Sequence, residues 1–333
     1  MNLAALQEKQ LQLKKVETRE YKGVDANDEI SPEDWYAANI EKWYEQIESC
    51  TFPTIFVPLS EEEGKTIVHA NDSYLKQIEL SEDDREAMGK LEEKVDEAMK
   101  QFSNGCFVKL SCRSPKDATV TAPEMLFNFR EAIRKRHEAG EEITENIRVI
   151  ELFTQHIQLL HSRTAKDAFR WFIRSTRVAD DIKMALEHNE SIQIIIREWF
   201  DIPTWAEFRG FVYQGKLVAL SQYFDACYFQ ILNEKKGHVQ SKITNFFETE
   251  LKDLVPLDNY IIDFGITSND RVMVIELNPY HPNTDSCLFS WSRDSDKLKS
   301  GPLEFRIVEK PIPNLESQVL SVWKSLLTES IPA

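Results

Sequence analysis

Between positions 259 and 279 two β-rich runs flank Ser268-Asn269-Asp270-Arg271, and both are too apolar to lie open to water. That pattern closes as an antiparallel hairpin, with Asn269-Asp270 as a two-residue loop, a weaker signal than Asn-Gly. Ser268 then pairs with Arg271, and counting back along both arms brings Asp263 opposite Glu276. Opposed residues share a face with Cβ atoms roughly 4.5–5.5 Å apart. Asn278, two residues beyond Glu276, lies on the same face. Two carboxylates facing each other in so apolar a hairpin repel and are costly to bury. A hard divalent cation removes the conflict, and Mg²⁺ typically takes one or two carboxylates with phosphate oxygens and water. An exposed, purely decorative acid pair is the competing explanation, because acids on hairpins are usually solvated.

A second hairpin is expected over 207–222, turning at Gln214-Gly215. Its register brings Glu207 opposite Gln222, with Arg209 on their face and Phe208, Val212, Leu217 and Ala219 on the other. Arg offers a fork of donors suited to phosphate, and Glu can accept from ribose hydroxyls. A surface Glu/Arg pair is the simpler alternative. Lys109 stands in the strand-like run Cys106-Phe107-Val108-Lys109-Leu110, where a lysine is ordinarily on the solvent side. The turn that follows, Arg113-Ser114-Pro115-Lys116-Asp117-Ala118, is rich in donors that could lie over phosphates. No GxxxxGK[ST] or GxGxxG occurs, so any phosphate is held by side chains and strands.

Elsewhere helices and hairpins are interspersed. Ser81 with Asp84 caps a helix whose face is Met88, Leu91, Val95, Met99 and Phe102, ended by Gly105. The stretch 124–187 is helical in pattern, 192–196 reads as a buried strand, and an amphipathic helix carries Ile243, Phe246, Phe247, Leu251 and Leu254. This order predicts an α+β chain rather than a doubly wound sheet. Residues 1–35 read as a polar extension, a helix and then a mobile linker, with order beginning near Trp35. A first lobe is assigned to 36–195 and a second to 196–333.

The 333 residues carry a formal charge of −16, which excludes a general grip on nucleic-acid backbone but allows a basic pocket within an acidic shell. No apolar run of membrane-spanning length and no secretory leader is seen, so no membrane contact is expected. Five cysteines (Cys50, Cys106, Cys112, Cys227 and Cys287) show no CxxC pairing and read as reduced thiols, which points to the cytoplasm. His156 and His161 are badly spaced for a shared ligand face. Arg134-Lys135-Arg136-His137 reads as a solvated helix face.

The residues resemble the cell division cycle protein 123 family, whose members have an ATP-grasp fold. The resemblance runs through Phe107-Val108-Lys109-Leu110, Ser114-Pro115-Lys116-Asp117-Ala118, Arg197-Glu198-Trp199, Glu207-Phe208-Arg209-Gly210, Lys216 to Gln222, Asp263 and Glu276-Leu277-Asn278-Pro279-Tyr280. It implies two lobes with antiparallel sheets and a nucleotide cleft between them. By position it places Lys109, Lys116 and Asp117 near ATP phosphates, Arg197 at the hinge beside adenine, and Glu207 toward the ribose. Arg209, Lys216 and Gln222 would line the cleft, and Asp263, Glu276 and Asn278 would hold Mg²⁺. Where the family usually carries Arg-Asp, Tyr223-Phe224 stand here, and Glu276 replaces its usual Asp. The implied role is assembly of eukaryotic translation initiation factor two through its gamma subunit. A ligase or phosphotransferase acting on an unidentified acceptor is the alternative.

Overall fold

The β-branched run 192–196 does become a buried strand, and it is the centre around which the first lobe is laid. A computed structural model describes residues 36–331 apart from Cys112, so the 1–35 extension and Trp35 lie outside the described residues. In chain order the first elements are α1 (Ile40–Ile47), β1 (Thr54–Pro58), α2 (Glu61–Lys76), α3 (Glu82–Met99) and β2 (Cys106–Leu110). Next come α4 (Lys116–Thr119), α5 (Pro123–Glu138), α6 (Glu145–Gln158), β3 (His161–Ser162), α7 (Ala165–Arg174), α8 (Thr176–His188) and β4 (Gln193–Glu198). The rest is β5 (Glu207–Tyr213), β6 (Lys216–Gln222), α9 (Gln230–Phe246), β7 (Tyr260–Ile266), β8 (Val272–Pro279), α10 (Ser295–Lys299), β9 (Glu304–Arg306) and α11 (Lys324–Leu327). Local signals explain the helix starts. Ser60 and Glu63 form a capping box on α2, and Ser81 accepts from the Asp84 amide at the head of α3.

Two sheets result, a four-stranded one in the order β1-β4-β2-β3 and a five-stranded one in the order β8-β7-β5-β6-β9. Every pairing is antiparallel except β6 with β9, which is parallel. Strand β4 carries the first sheet past position 195 to Glu198. The cores do not follow a cut at 195/196 either. One core draws on 57–110 and 165–196, whereas α1, α5 and α6 pack with the five-stranded sheet and the C-terminal Trp323. The second lobe is therefore assembled from three separated stretches of chain, each an amphipathic face seeking the same sheet.

Both hairpins depart from simple counting. The first closes through a five-residue loop, 267–271, in which the Thr267 amide donates to the Arg271 carbonyl at 2.9 Å and Asp270 takes φ 64°. The last ladder pair is Ile266 with Val272, one residue off the expected register. A bulge then inserts Ile275 into β8 and restores it, so Asp263 does face Glu276. Gly265 makes room for that bulge. A Cβ there would stand 2.6 Å from Ile202 Cδ1 and 3.2 Å from Ile275 Cδ1. In the second hairpin Gln214 (φ 50°) and Gly215 (φ 69°) do form the tight turn, but a bulge at Val218 shifts everything beyond it. Gln222 pairs with Phe208, not with Glu207.

Candidate functional site

The five-stranded sheet sets Arg209, Asp263 and Glu276 side by side in one row, since Arg209 pairs with Asp263 and Asp263 with Glu276. Their Cβ atoms share a face, so the row is a property of register rather than of side-chain choice. Arg209 grips Asp263 through two parallel bonds, Nε to Oδ1 and Nη2 to Oδ2, both 2.8 Å. Its third donor reaches the Asp285 carbonyl at 2.7 Å, and its guanidinium lies 5.0 Å from the Tyr223 ring centroid. Asn278 Nδ2 donates to Asp263 Oδ2 at 3.3 Å.

Glu276 is held differently. Lys109 reaches across from β2 and donates to its carboxylate, joining the two sheets. Lys109 is thus buried rather than solvent-facing, 4% exposed. Burial pushes Glu276 upward, but Lys109, Lys116 and Arg197 overcome it and hold the carboxyl below its ordinary range. The opposed acids therefore need no metal to coexist, which corrects the inference drawn from the hairpin alone. Each has its own cation.

Arg197 is the second tie between the sheets. Its guanidinium donates to Thr51 Oγ1 at 2.6 Å, to Thr54 Oγ1 at 3.3 Å, and to the Ile275 carbonyl that the bulge leaves outside the ladder. Burial lowers its pKa to about 10. Lys116 sits at the head of α4, 5.6 Å from the Tyr223 ring centroid. Burial acts to lower its pKa, yet Tyr223, Glu207, Glu276 and Asp263 together raise it. Glu207 is pushed up to about 7, first by burial and then by Asp263, against the pull of Lys116 and Arg209. Four cations (Lys109, Lys116, Arg197 and Arg209) thus meet Asp263, Glu276 and a Glu207 that titrates near neutrality, and Asp225 and Asp285 also line the cavity beside them. The junction gathers these four cations in a chain of charge −16.

Three residues expected at the cleft are elsewhere. Asp117 turns toward α8, accepting from Ser175 Oγ at 2.5 Å and from the Arg177 amide at 3.3 Å. It supports a helix N-terminus, where negative charge is favoured. Gln222 is fully buried and holds backbone in place, donating to the Phe224 and Cys227 carbonyls at 2.7 and 2.6 Å. Its Oε1 accepts from the Val308 amide at 3.1 Å. The Val218 bulge is the reason, because it swings Gln222 to the face opposite Arg209. Lys216 is exposed at the hairpin tip.

A cavity of about 680 Å³ opens beside the junction, with Lys116, Arg209, Glu276 and Asn278 on one side and Phe153, His156, Leu320 and Trp323 on another. Sequence reasoning missed Tyr223 and His156 as wall residues. Tyr223 had a signal, since it stands where a charged pair is usual, and its ring now receives both cations. His156 had none. It meets Thr119 across 37 positions, and no spacing rule reaches that far. His161 instead stacks on Trp199 with ring centroids 4.6 Å apart. Arg134 pairs with Glu131 and Glu138 along α5, whereas Arg136 reaches Glu141 in the following loop and Glu151 on α6.

Asp263, Glu276 and the Asn278 amide oxygen form a hard-oxygen set suited to Mg²⁺. Among the described residues no group of three or more His, Cys, Asp or Glu could hold a metal unaided. Both Asp263 oxygens already accept from Arg209, so within this set Glu276 has the more accessible oxygens for a cation that arrives with phosphates. Cys50, Cys106, Cys227 and Cys287 are free thiols, and burial pushes Cys106 up to about 12. No helix among the described residues is long and apolar enough to cross a membrane.

A family model described as D123 matches residues 47–323. The "Translation initiation factor eIF2 assembly protein" of Candida albicans is 24% identical over 234 residues, covering 66% of this chain and 58% of that protein. The protein of the same name from Xenopus tropicalis is 22% identical over 283 residues, 75% of each. The solved structure of Cdc123 from Schizosaccharomyces pombe superposes with a TM-score of 0.60 at 21% identity, covering 84% of this chain and 99% of that one. At that identity the likeness is one of fold: α+β, ATP-grasp-like, two lobes built on largely antiparallel sheets.

Proposed function

The chain belongs to the D123 family, and on that premise we propose that it is an assembly factor for eIF2 that binds ATP with Mg²⁺ and engages the gamma subunit. The observation that carries the nucleotide half is the gathering of Lys109, Lys116, Arg197 and Arg209 at the junction of the two sheets. Lys109 and Glu276 bridge the lobes there, so a polyanion seated between them would bear on how the lobes are joined. Lys116 and Arg209 are placed to bind and orient phosphates. Asp263, Glu276 and Asn278 would hold Mg²⁺, which when bound supplies neutralisation of phosphate charge. Tyr223 offers its π face to both cations. The assembly half rests on the names of the relatives.

Calorimetry with ATP in Mg²⁺ and again in EDTA tests the nucleotide half. Equal affinity in both removes the metal. Pull-down with the isolated gamma subunit, beside the other two subunits, tests the partner. The alternative of a ligase or phosphotransferase is favoured by one observation, the roomy cavity next to the cation cluster. ATP turnover across a panel of acceptors tests it.

A further inference from the structure

The cavity wall changes character along a continuous arc of contacts. From Arg209 it passes to Tyr223 at 5.0 Å, and Tyr223 meets Phe224 with ring centroids 5.2 Å apart. Phe224 meets Phe153 at 5.1 Å, Phe153 meets Trp323 at 5.2 Å, and Trp323 meets His156 at 5.9 Å. The arc therefore begins at a cation and ends at an imidazole within an apolar wall. Trp323 has no donor left for a ligand, because its Nε1 donates to the Val120 carbonyl at 3.0 Å.

His156 is 7% exposed and lines the cavity. Its Nδ1 lies 2.6 Å from Thr119 Oγ1. Thr119 gives its single hydroxyl hydrogen to the Lys116 carbonyl at 3.0 Å. With that hydrogen on the Lys116 carbonyl, the network assigns the hydrogen between Thr119 and His156 to Nδ1. Nε2 is left as an acceptor with no protein partner, on a side chain more than nine-tenths buried and facing the cavity. Burial, reinforced by Lys116, lowers the pKa to about 3, so the ring keeps that lone pair across the neutral range. An acceptor that opens onto the cavity is met by water or by whatever donor enters there.

We propose that the apolar side of the cavity is a second ligand site, beside the phosphate side, which takes an apolar, ring-sized group bearing one N–H or O–H donor that bonds to His156 Nε2. It rests on the cavity wall alone and stands or falls independently of the nucleotide reading. Indole is the probe, since it pairs one N–H with an apolar body, and benzofuran is the control, since it lacks the donor.

Diethyl pyrocarbonate acylates unprotonated imidazole nitrogen, and peptide mapping of the full chain reports each histidine separately. At roughly pH 6, where an ordinary histidine is more than half protonated, His156 should react, indole should slow it several-fold, and benzofuran and ATP-Mg²⁺ should not. His156→Phe keeps a ring in the wall and should bind indole about fivefold more weakly, the usual worth of one neutral hydrogen bond. An unmodified His156 beside reacted, exposed His69 and His188 overturns the proposal. So does equal protection by benzofuran, which would mean apolar packing only. Protection by ATP-Mg²⁺ as strong as that by indole would make this the nucleotide's own pocket, and would also overturn it.

Discussion

Asp263 and Glu276 face each other across one rung of the same ladder, yet they occupy two different regimes. The Asp263 side chain is 5% exposed and locked in a bidentate pair with Arg209 of the neighbouring strand. The Glu276 side chain is 31% exposed, meets a single ammonium from the other sheet, and lines the cavity. The first pair lies within one sheet, and a metal drawn to Asp263 would have to share its oxygens with Arg209. The second spans the two sheets at an open edge, where water or a ligand can compete with it. Chemically equivalent acids thus divide between one tied first to the sheet and one open to the cleft, and it is the partner's element of origin that separates them.

The largest test of that contrast is Asp263→Asn. It leaves the Arg209 guanidinium buried without its counter-charge, and breaking such a pair typically costs about 3–5 kcal/mol. Urea denaturation without nucleotide should show that loss. An apo protein as stable as wild type would mean that repulsion from Glu276 outweighs the Arg209 bonds, and the contrast would be void.

Glu276→Gln should act mainly on the ligand. Removing the charge leaves Lys109 with an amide acceptor at a partly wet edge, so about 1–3 kcal/mol of stability is expected to go. The stabilisation by ATP-Mg²⁺ in a thermal-shift assay should largely disappear, because it follows the logarithm of ligand concentration over dissociation constant. A retained shift would remove Glu276 from the proposed metal set. Acid should mimic the change. Since the folded pKa of Glu276 is lowered, its contribution is complete above the unfolded value and fades as pH falls through the folded one.

Glu207 runs the other way and is the next test. Its folded pKa is about 7, above the ordinary carboxylate value, so the folded state binds its proton more tightly than the unfolded state does. Stability should therefore decline as pH rises from the unfolded pKa to about 7, and level off beyond it. Discounted for partial exposure, the decline is about 1–2 kcal/mol. Glu207→Gln should flatten that limb. An unchanged pH profile would place the carboxyl in water, away from Lys116.

Much of this was legible in the sequence, though in one instance for a reason that counting could not supply. Asp263 was correctly set opposite Glu276 because a longer loop at 267–271 and a bulge at Ile275 cancel. The same counting failed for Gln222, where the bulge at Val218 has nothing to offset it. Bulges arise from packing across the sheet, as Gly265 beneath Ile275 illustrates, and strand alternation carries no trace of them. Caps such as Ser81 with Asp84 were readable because they are local. The exchange of partners that gives Asp263 to Arg209 and Glu276 to Lys109 is tertiary, and opposed acids alone suggested a metal in its place. The interleaving of the two cores is tertiary too. Helices α5 and α6 have ordinary amphipathic faces, and nothing in the faces themselves says which sheet they will cover.

The smallest expected effect bounds the cleft. Lys216 lies in a stretch that carries the family resemblance, but it is exposed at the β5–β6 turn, paired with Tyr213. Ser221, the partner of Arg209, is five residues further along the strand. At roughly 3.3 Å per residue that is about 16 Å, beyond the reach of a lysine side chain to phosphates held at Arg209. Lys216→Ala should leave stability within about 0.5 kcal/mol, as surface substitutions usually do. It should also leave the ATP-Mg²⁺ affinity unchanged, whereas Arg209→Ala and Glu276→Gln should not. A Lys216 variant that weakens ATP binding tenfold would mean that the nucleotide extends along β6 toward the turn. The separation between a sheet-holding pair and a cleft-serving pair would then have been drawn around the wrong end of the sheet.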